Sequence, residues 1–151
     1  MQPIDVYTDG GCHGNPGPGG WAFIVVVDDN REEHYGADSQ TTNNRMELTA
    51  VIAALDWCRE RLELPCRIRV HTDSQYVRNG ITDWIERWRR NSWRTAAKKP
   101  VKNQDLWQQL DHLNRWLRPQ WEWVRGHVGD PYNERCDALV QQAIAERESE
   151  P

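Results

Sequence analysis

Two short runs of β-forming residues end in the same dipeptide, Ile4-Asp5-Val6-Tyr7-Thr8-Asp9 and Ile68-Arg69-Val70-His71-Thr72-Asp73. In both, Ile, Val and Thr take alternate positions, so they share one face of a strand, and the closing aspartate points to the other. Laid side by side and parallel, two such strands lie about 4.8 Å apart. Two carboxylates are then fixed at one sheet edge. Like-charge repulsion makes that costly for folding, but the same pair suits a divalent cation.

Between and beyond these runs the chain alternates strand and helix patterns. Asp9 leads into Gly10 to Gly20, where dense Gly and Pro predict a tight, irregular turn. Trp21–Val27 is a continuous apolar run and reads as a buried strand. Asp28-Asp29-Asn30 then turns it into a polar edge strand near Glu32–Ala37, which makes an antiparallel meander. A helix is expected over about Asn44–Arg59, a strand over 67–72, a short helix just after Asp73 and a second helical piece over Thr82–Arg90. Residues 95–102 read as a loop. Asn103 is placed to cap a helix whose apolar stripe is Leu106, Leu110, Leu113 and Leu117. Trp121–Val124 is the last strand, and Asp130 followed by Pro131 opens a terminal helix to about Ala145. The order predicts an α/β domain with a five-stranded mixed sheet flanked by helices. At 151 residues, 1–151 is the size of one domain burying roughly 70 % of its extended surface, and the acidic stretch from about 146 to 151 is expected to be a flexible tail.

The net charge of −4 does not by itself suggest a polyanionic partner, but its distribution does. From Trp84 to Lys102 seven Arg or Lys face the single acid Glu86, and local charge decides where a nucleic acid docks. The four cysteines (12, 58, 66, 136) form no C-x-x-C pair. Cys58 and Cys136 fall in helical patterns as small buried residues, and a disulfide stays open. The N-terminus carries no basic and apolar secretory pattern, and no apolar run approaches the ~18 residues of a membrane span. A soluble, cytoplasmic monomer with no membrane and no protein partner is expected.

Two more carboxylates interrupt apolar stripes. Glu47 recurs with Val51, Ala54 and Cys58 at helical spacing, and Asp137 with Val140 and Ile144. An inward carboxylate needs a counter-charge, because unpaired burial costs several kcal/mol. The bland partners are Arg45 for Glu47 and Arg135 for Asp137. With Asp9 and Asp73 added, a hard cation is the better counter-charge. Oxygen donors without a His/Cys cluster favour Mg²⁺ or Mn²⁺ over zinc, and four acids from separate segments could flank two ions. His127, in a Gly-flanked loop, is either an inert surface residue or a proton shuttle beside the site. Trp84, Trp88 and Trp93 interleave with Arg87, Arg89, Arg90 and Arg94. Either the indoles pack on the core, or they meet sugars and bases while the arginines meet phosphates. The Gly/Pro stretch lacks both G-x-G-x-x-G and a Gly-Lys-Ser/Thr ending, so it is not a nucleotide cradle of a known kind. Its glycines would rather let backbone approach a substrate next to Asp9.

Taken in order, several segments closely resemble bacterial ribonuclease HI of the type 1 RNase H family. They are Tyr7-Thr8-Asp9-Gly10, Gly14 to Gly20, Thr41-Thr42-Asn43-Asn44-Arg45-Met46-Glu47, Thr72 to Val77, Trp107, Trp121 to Val124 with Gly126-His127, and Asn133 to Asp137. The resemblance covers about residue 4 to residue 146. It implies the RNase H-like fold and an endonuclease that cuts the RNA strand of RNA–DNA hybrids, leaving 3′-hydroxyl and 5′-phosphate ends. It further implies that Asp9, Glu47, Asp73 and Asp137 are catalytic and bind two Mg²⁺ or Mn²⁺ ions, with His127 assisting turnover. Residues 84–102 match the basic protrusion that grips the hybrid, with Arg89, Arg90, Lys98 and Lys99 as its contacts. Tyr76, Trp84 and Trp88 match the channel for the DNA strand. Cys12, Asn15, Asn43, Asn44 and Gln75 match positions that sense ribose in the minor groove, and Thr42 and Asn103 match a pocket for a DNA phosphate.

The chain departs from the family pattern at Gln40, where a basic residue is common, at Glu86 and Asn91 in the protrusion, and at Asp130 near His127. Two rival readings compete. One is a nuclease or recombinase of the same fold acting on DNA, such as a junction resolvase, against which the Asn/Gln set and the basic protrusion argue. The other is a non-catalytic hybrid-binding module, against which the intact acids argue.

Overall fold

The computed structural model describes residues 3–63, 66–125 and 130–149. Their order is β1 (Pro3–Cys12), β2 (Gly17–Val27), β3 (Asn30–Thr41), α1 (Asn43–Arg61), β4 (Arg67–Thr72), α2 (Gln75–Asn79), a π-helical turn (Gly80–Trp84), α3 (Ile85–Arg90), α4 (Gln104–Leu117), β5 (Gln120–Trp123) and α5 (Pro131–Glu148). The strands form one five-stranded sheet in the order β3-β2-β1-β4-β5. The first three strands are antiparallel, and β4 and β5 add in parallel.

The two Thr-Asp runs are neighbours, as their pattern suggests. Ile4 lies opposite Ile68, Val6 opposite Val70 and Tyr7 opposite His71. Ile4, Val6 and Thr8 are buried on one face, and so are Ile68, Val70 and Thr72. That face meets α1 and α4 through Val51, Leu55, Cys58, Trp107 and Leu110. The other face carries Ala22 and Ile24 and is covered by Cys136, Leu139, Val140 and Ile144 of α5. The four cysteines are free thiols, and Cys58 and Cys136 are fully buried. Among the described residues no helix is long and apolar enough to cross a membrane.

The Gly/Pro stretch is less of a turn than its composition suggests. β1 runs on to Cys12 and β2 begins at Gly17, with Gly10 opposite Trp21 and Cys12 opposite Gly19. Only residues 13–16 turn the chain. The glycines serve the sheet, because helices press onto it there. A Cβ on Gly10 would collide with the Met46 carbonyl and the Glu47 amide. That contact seats the first turn of α1 beside Asp9.

Two helix expectations change. The pieces after Asp73 form one run, α2 to α3, carried through a π-helical turn at Gly80, where a Cβ would overlap the indole of buried Trp107. Asn103 takes the N-cap position of α4, with its carbonyl accepting from the Leu106 and Trp107 amides, but its side chain does not cap the helix. Its backbone is left-handed (φ 60°), and its side chain accepts from Arg45 Nη1 at 3.2 Å and donates to Tyr76 Oη at 3.0 Å. On α4, Leu110, Leu113 and Leu117 are buried with Trp107, while Leu106 is only partly covered. Asp130 does cap α5, its Oδ1 accepting from the Tyr132 and Asn133 amides. The helix continues to Glu148, so residues 146–148 are helical rather than a loose tail.

Candidate active site and nucleic-acid interface

The carboxylates gather where β1 and β4 end. Asp9 lies near the end of β1, half-buried, and Asp73 follows β4 directly, also half-buried. Glu47 comes to them from α1, whose start is fixed by Thr42 Oγ1 accepting from the Arg45 amide at 3.2 Å. The hydroxyl of Ser74 donates to Glu47 Oε2 and accepts from the Val77 amide at 3.1 Å, so one side chain both caps α2 and orients the glutamate. Burial pushes the Glu47 carboxyl above its ordinary value, the Ser74 hydrogen bond pulls it back, and the negative charge of Asp73 pushes it up again. Glu47 and Asp73 therefore repel across a small gap.

Asp137 is the exception to the expected inward set. Val140 and Ile144 of its stripe are buried, but Asp137 itself is exposed. Its neighbour Cys136 faces in, with Sγ donating to the Tyr7 carbonyl at 3.4 Å. Burial, and next the negative charge of Asp9, push the Cys136 thiol up. The turn of α5 that bears Asp137 is thus held against β1 close to Asp9, with Asp137 exposed.

The bland partners for these acids are engaged elsewhere. Arg45 forms a two-point ion pair with Asp105 at 3.1 and 2.8 Å, and Arg135 does the same with Glu33 at 2.8 and 3.1 Å. Among the described residues no three His, Cys, Asp or Glu side chains are already drawn into a metal-binding cluster. The donor chemistry nevertheless fits a hard cation. Glu47 and Asp73 offer oxygen only, and their mutual repulsion is what a bound cation relieves. His127 lies outside the described residues.

Beside the carboxylates the loop after β1 is tied to α1. Asn15 Oδ1 accepts from the Asn43 amide at 3.0 Å, and Cys12 Sγ donates to the Thr41 and Gly17 carbonyls at 3.4 Å. Asn15, Thr42, Asn44, Lys102 and Asn103 line a cavity of 190 Å³. Thr42 and Asn103, predicted to share a pocket, do so. Lys102 joins them.

A wider groove of 450 Å³ is walled by Tyr76, Trp84 and Trp88. Trp84 and Trp88 both pack on the core and line the groove. Trp84 and Trp88 pack on buried Trp107 at centroid distances of 6.5 and 5.4 Å, and their other faces line the groove. Tyr76 Oη accepts from Trp107 Nε1 and from Asn103 Nδ2, both at 3.0 Å, which joins the groove to the smaller cavity. The groove's cations are Arg87, Arg94 and Lys102, rather than Arg89, Arg90, Lys98 and Lys99. Arg90 pairs with Glu86 at 2.7 Å, and Arg89 lies 3.4 Å from the buried Asp111. Gln75, Lys98 and Lys99 are exposed. Ser74 is the site residue that sequence reasoning misses, since nothing in its spacing marks it. Ser74 is detectable only as a hydroxyl next to Asp73.

Comparison with known proteins agrees with this geometry. A family model described as RNase H matches residues 1–145. A ribonuclease H of Halorhodospira halophila is 55 % identical over 143 residues, covering 95 % of this chain and 93 % of that protein. One from Chelativorans sp. is 54 % identical over 145 residues, covering 96 % and 87 %. Among solved structures, LC9-RNase H1, a type 1 RNase H with the type 2 active-site motif, superposes with a TM-score of 0.83 at 30 % identity, covering 97 % of this chain and 74 % of that one. LC11-RNase H1 in complex with an RNA/DNA hybrid gives a TM-score of 0.67 at 27 % identity, with 97 % and 99 % coverage.

Proposed function

Because this chain belongs to the RNase H family, we propose that it is an endonuclease hydrolysing the RNA strand of RNA–DNA hybrids to 3′-hydroxyl and 5′-phosphate ends. One observation carries the reading. The half-buried Glu47 is locked by Ser74 against Asp73 at the sheet edge that holds Asp9, while Arg45 and Arg135 are committed elsewhere. Asp9, Glu47, Asp73 and Asp137 are the residues that would hold Mg²⁺ or Mn²⁺, two ions per site. When bound, such ions supply positive charge for both the attacking and the leaving oxygen of an in-line phosphoryl displacement.

The chain's own residues do the rest. Ser74 keeps Glu47 in one rotamer and ties it to α2, so the carboxylate edge is set before substrate arrives. Tyr76, Trp84 and Trp88 offer apolar faces for the DNA strand, and Arg94 and Lys102, which form no ion pair among the described residues, neutralise its phosphates. The cavity of Asn15, Thr42, Asn44 and Asn103 is sized for one DNA phosphate. Cys12, Asn15, Asn43, Asn44 and Gln75 would read the RNA strand through its 2′-hydroxyls. His127 is proposed, on the family resemblance, to help product leave.

The test uses matched RNA–DNA, DNA–DNA and RNA–RNA duplexes in Mg²⁺ and in Mn²⁺. Only the hybrid should be cut, and only in its RNA strand. Asp9→Asn should lower kcat by about 10³-fold or more while hybrid affinity changes little. Turnover like wild type by that variant, or equal cutting of DNA duplex, defeats the reading.

A further inference from the structure

A second cavity, of 480 Å³, opens on the β5 side of Asp73 and is lined by Asp73, Ser74, Gln75, Trp123 and two arginines, Arg78 and Arg125. The backbone places both arginines there, and a ring contact holds Arg78. The Arg78 amide donates to the Ser74 carbonyl at 3.1 Å, which anchors it to the turn that orients Glu47. Its guanidinium lies 5.9 Å from the ring centroid of Trp123, and Trp123 in turn stacks on Trp121 at 5.2 Å. Arg125 leaves β5 just after the Val124 amide donates to the Thr72 carbonyl at 2.9 Å, a bond that extends the β4–β5 pairing to the cavity's rim.

Most other arginines near the sheet and protrusion are matched to an acid: Arg45 to Asp105, Arg69 to Asp5, Arg87 to Asp83, Arg90 to Glu86 and Arg135 to Glu33. Among the described residues Arg78 and Arg125 form no ion pair with a carboxylate. Two guanidiniums beside a cation site would repel the cation unless an anion lay between them. A guanidinium's planar fork suits a phosphate, which it can grip at two points. The strand being cut must pass Asp73, and Gln75, a ribose-sensing candidate, lines the same cavity.

We propose that Arg78 and Arg125 form a phosphate subsite that grips the RNA strand beside the scissile phosphate, on the β5 side of Asp73. The assignment rests on the hybrid-cleaving function proposed above. It makes the two arginines positioning residues, since they hold the strand in register with the carboxylates without touching the reacting atoms.

The experiment pairs variants with a substrate series. Wild type, R78A/R125A and R78K/R125K are assayed on a hybrid whose RNA phosphates are replaced one at a time by uncharged methylphosphonate. Both arginines are exposed, so the substitutions open no core. For R78A/R125A, KM should rise roughly tenfold with kcat changed far less, and the slope of log KM against log salt should fall by about one. In wild type, neutralising one phosphate next to the cleavage point should cost the same factor, and in R78A/R125A that penalty should vanish. R78K/R125K should recover part of the affinity. An unchanged KM in R78A/R125A overturns the subsite. So does a penalty spread evenly over all phosphates in wild type, which would mean general attraction without a seat. Failure of wild type to cut unmodified hybrid would instead defeat the proposed function, and the two failures are told apart by that one control.

Discussion

Asp5 sits on the same face of β1 as Tyr7, between Arg69 and His71. Arg69 donates to it through Nε and Nη2 at 2.8 and 2.9 Å, and His71 Nε2 lies 2.8 Å from Oδ1. Burial pushes this carboxyl up, but the hydrogen bonds from Arg69 and His71, with their positive charge, outweigh it and hold the group below its ordinary value. A carboxylate lowered by folding stabilises the native state fully above its unfolded pKa, and that stability is lost as pH falls through the folded pKa. Asp5→Asn should therefore cost about 1–2 kcal/mol at pH 7, discounted for partial exposure, and the gap to wild type should close as acid titrates the carboxylate below the ordinary aspartate range. Urea titrations across pH check this, and a gap that does not narrow as pH falls would mean the effect is packing rather than charge. Residue by residue, the alternation of Ile, Val and Thr in β1 and β4 was legible because burial there follows a period of two. Asp137 was misread as inward because a stripe three and four residues wide has edges, and an edge position can face water.

The continuous element α2–π turn–α3 is where local pattern said least and packing decided most. No residue type announces a π-helical turn. Its cause is tertiary, since Gly80 must let the indole of Trp107 approach the backbone. Gly80→Ala forces a methyl into that ring, and the expected loss is about 2–4 kcal/mol of unfolding free energy, measured by denaturant. Trp107 Nε1 also donates to Tyr76, so the same variant should weaken hybrid binding even under conditions where it is fully folded. A stable variant with unchanged KM would show that the groove does not depend on this packing. Other element-level misreadings share a cause. Gly and Pro at 10–20 spelled a turn, yet most of those glycines sit in paired strands because α1 and α5 need the space. Asn103 holds the N-cap position as its spacing suggests, but its side-chain amide joins Arg45 to Tyr76 instead of bonding the helix end. The β1–β4 pairing and the start of α5 at Asp130 were readable, because caps and strand ends have local chemistry, whereas the Thr42–Asn103 pocket was readable only through the family resemblance.

At the scale of the whole molecule, a chain of net charge −4 must attract a polyanion through one patch while the remainder repels it. Counting cations along 84–102 overstates that patch. Arg87 is paired with Asp83, Arg90 with Glu86, and Arg89 with Asp111, which is only 6 % exposed. Reversing Arg89 would leave a buried carboxylate short of a partner and confuse binding with folding. Among the described residues Arg94, Lys98, Lys99 and Lys102 form no ion pair, and they are the charges available to displace counterions from a hybrid. Neutralising all four to Gln should raise KM and lower the slope of log KM against log salt by roughly 3.5, with each meeting one phosphate. Arg90→Gln removes a charge that Glu86 already offsets, so it should change the slope by less than half a unit. The chemical step under saturating hybrid should be little affected in both, because none of these residues lies at the carboxylate edge. If Arg90→Gln flattens the salt dependence as much as losing a lysine does, the ion pairs within the protrusion break on binding. The whole basic stretch, rather than its unpaired half, is then the electrostatic surface.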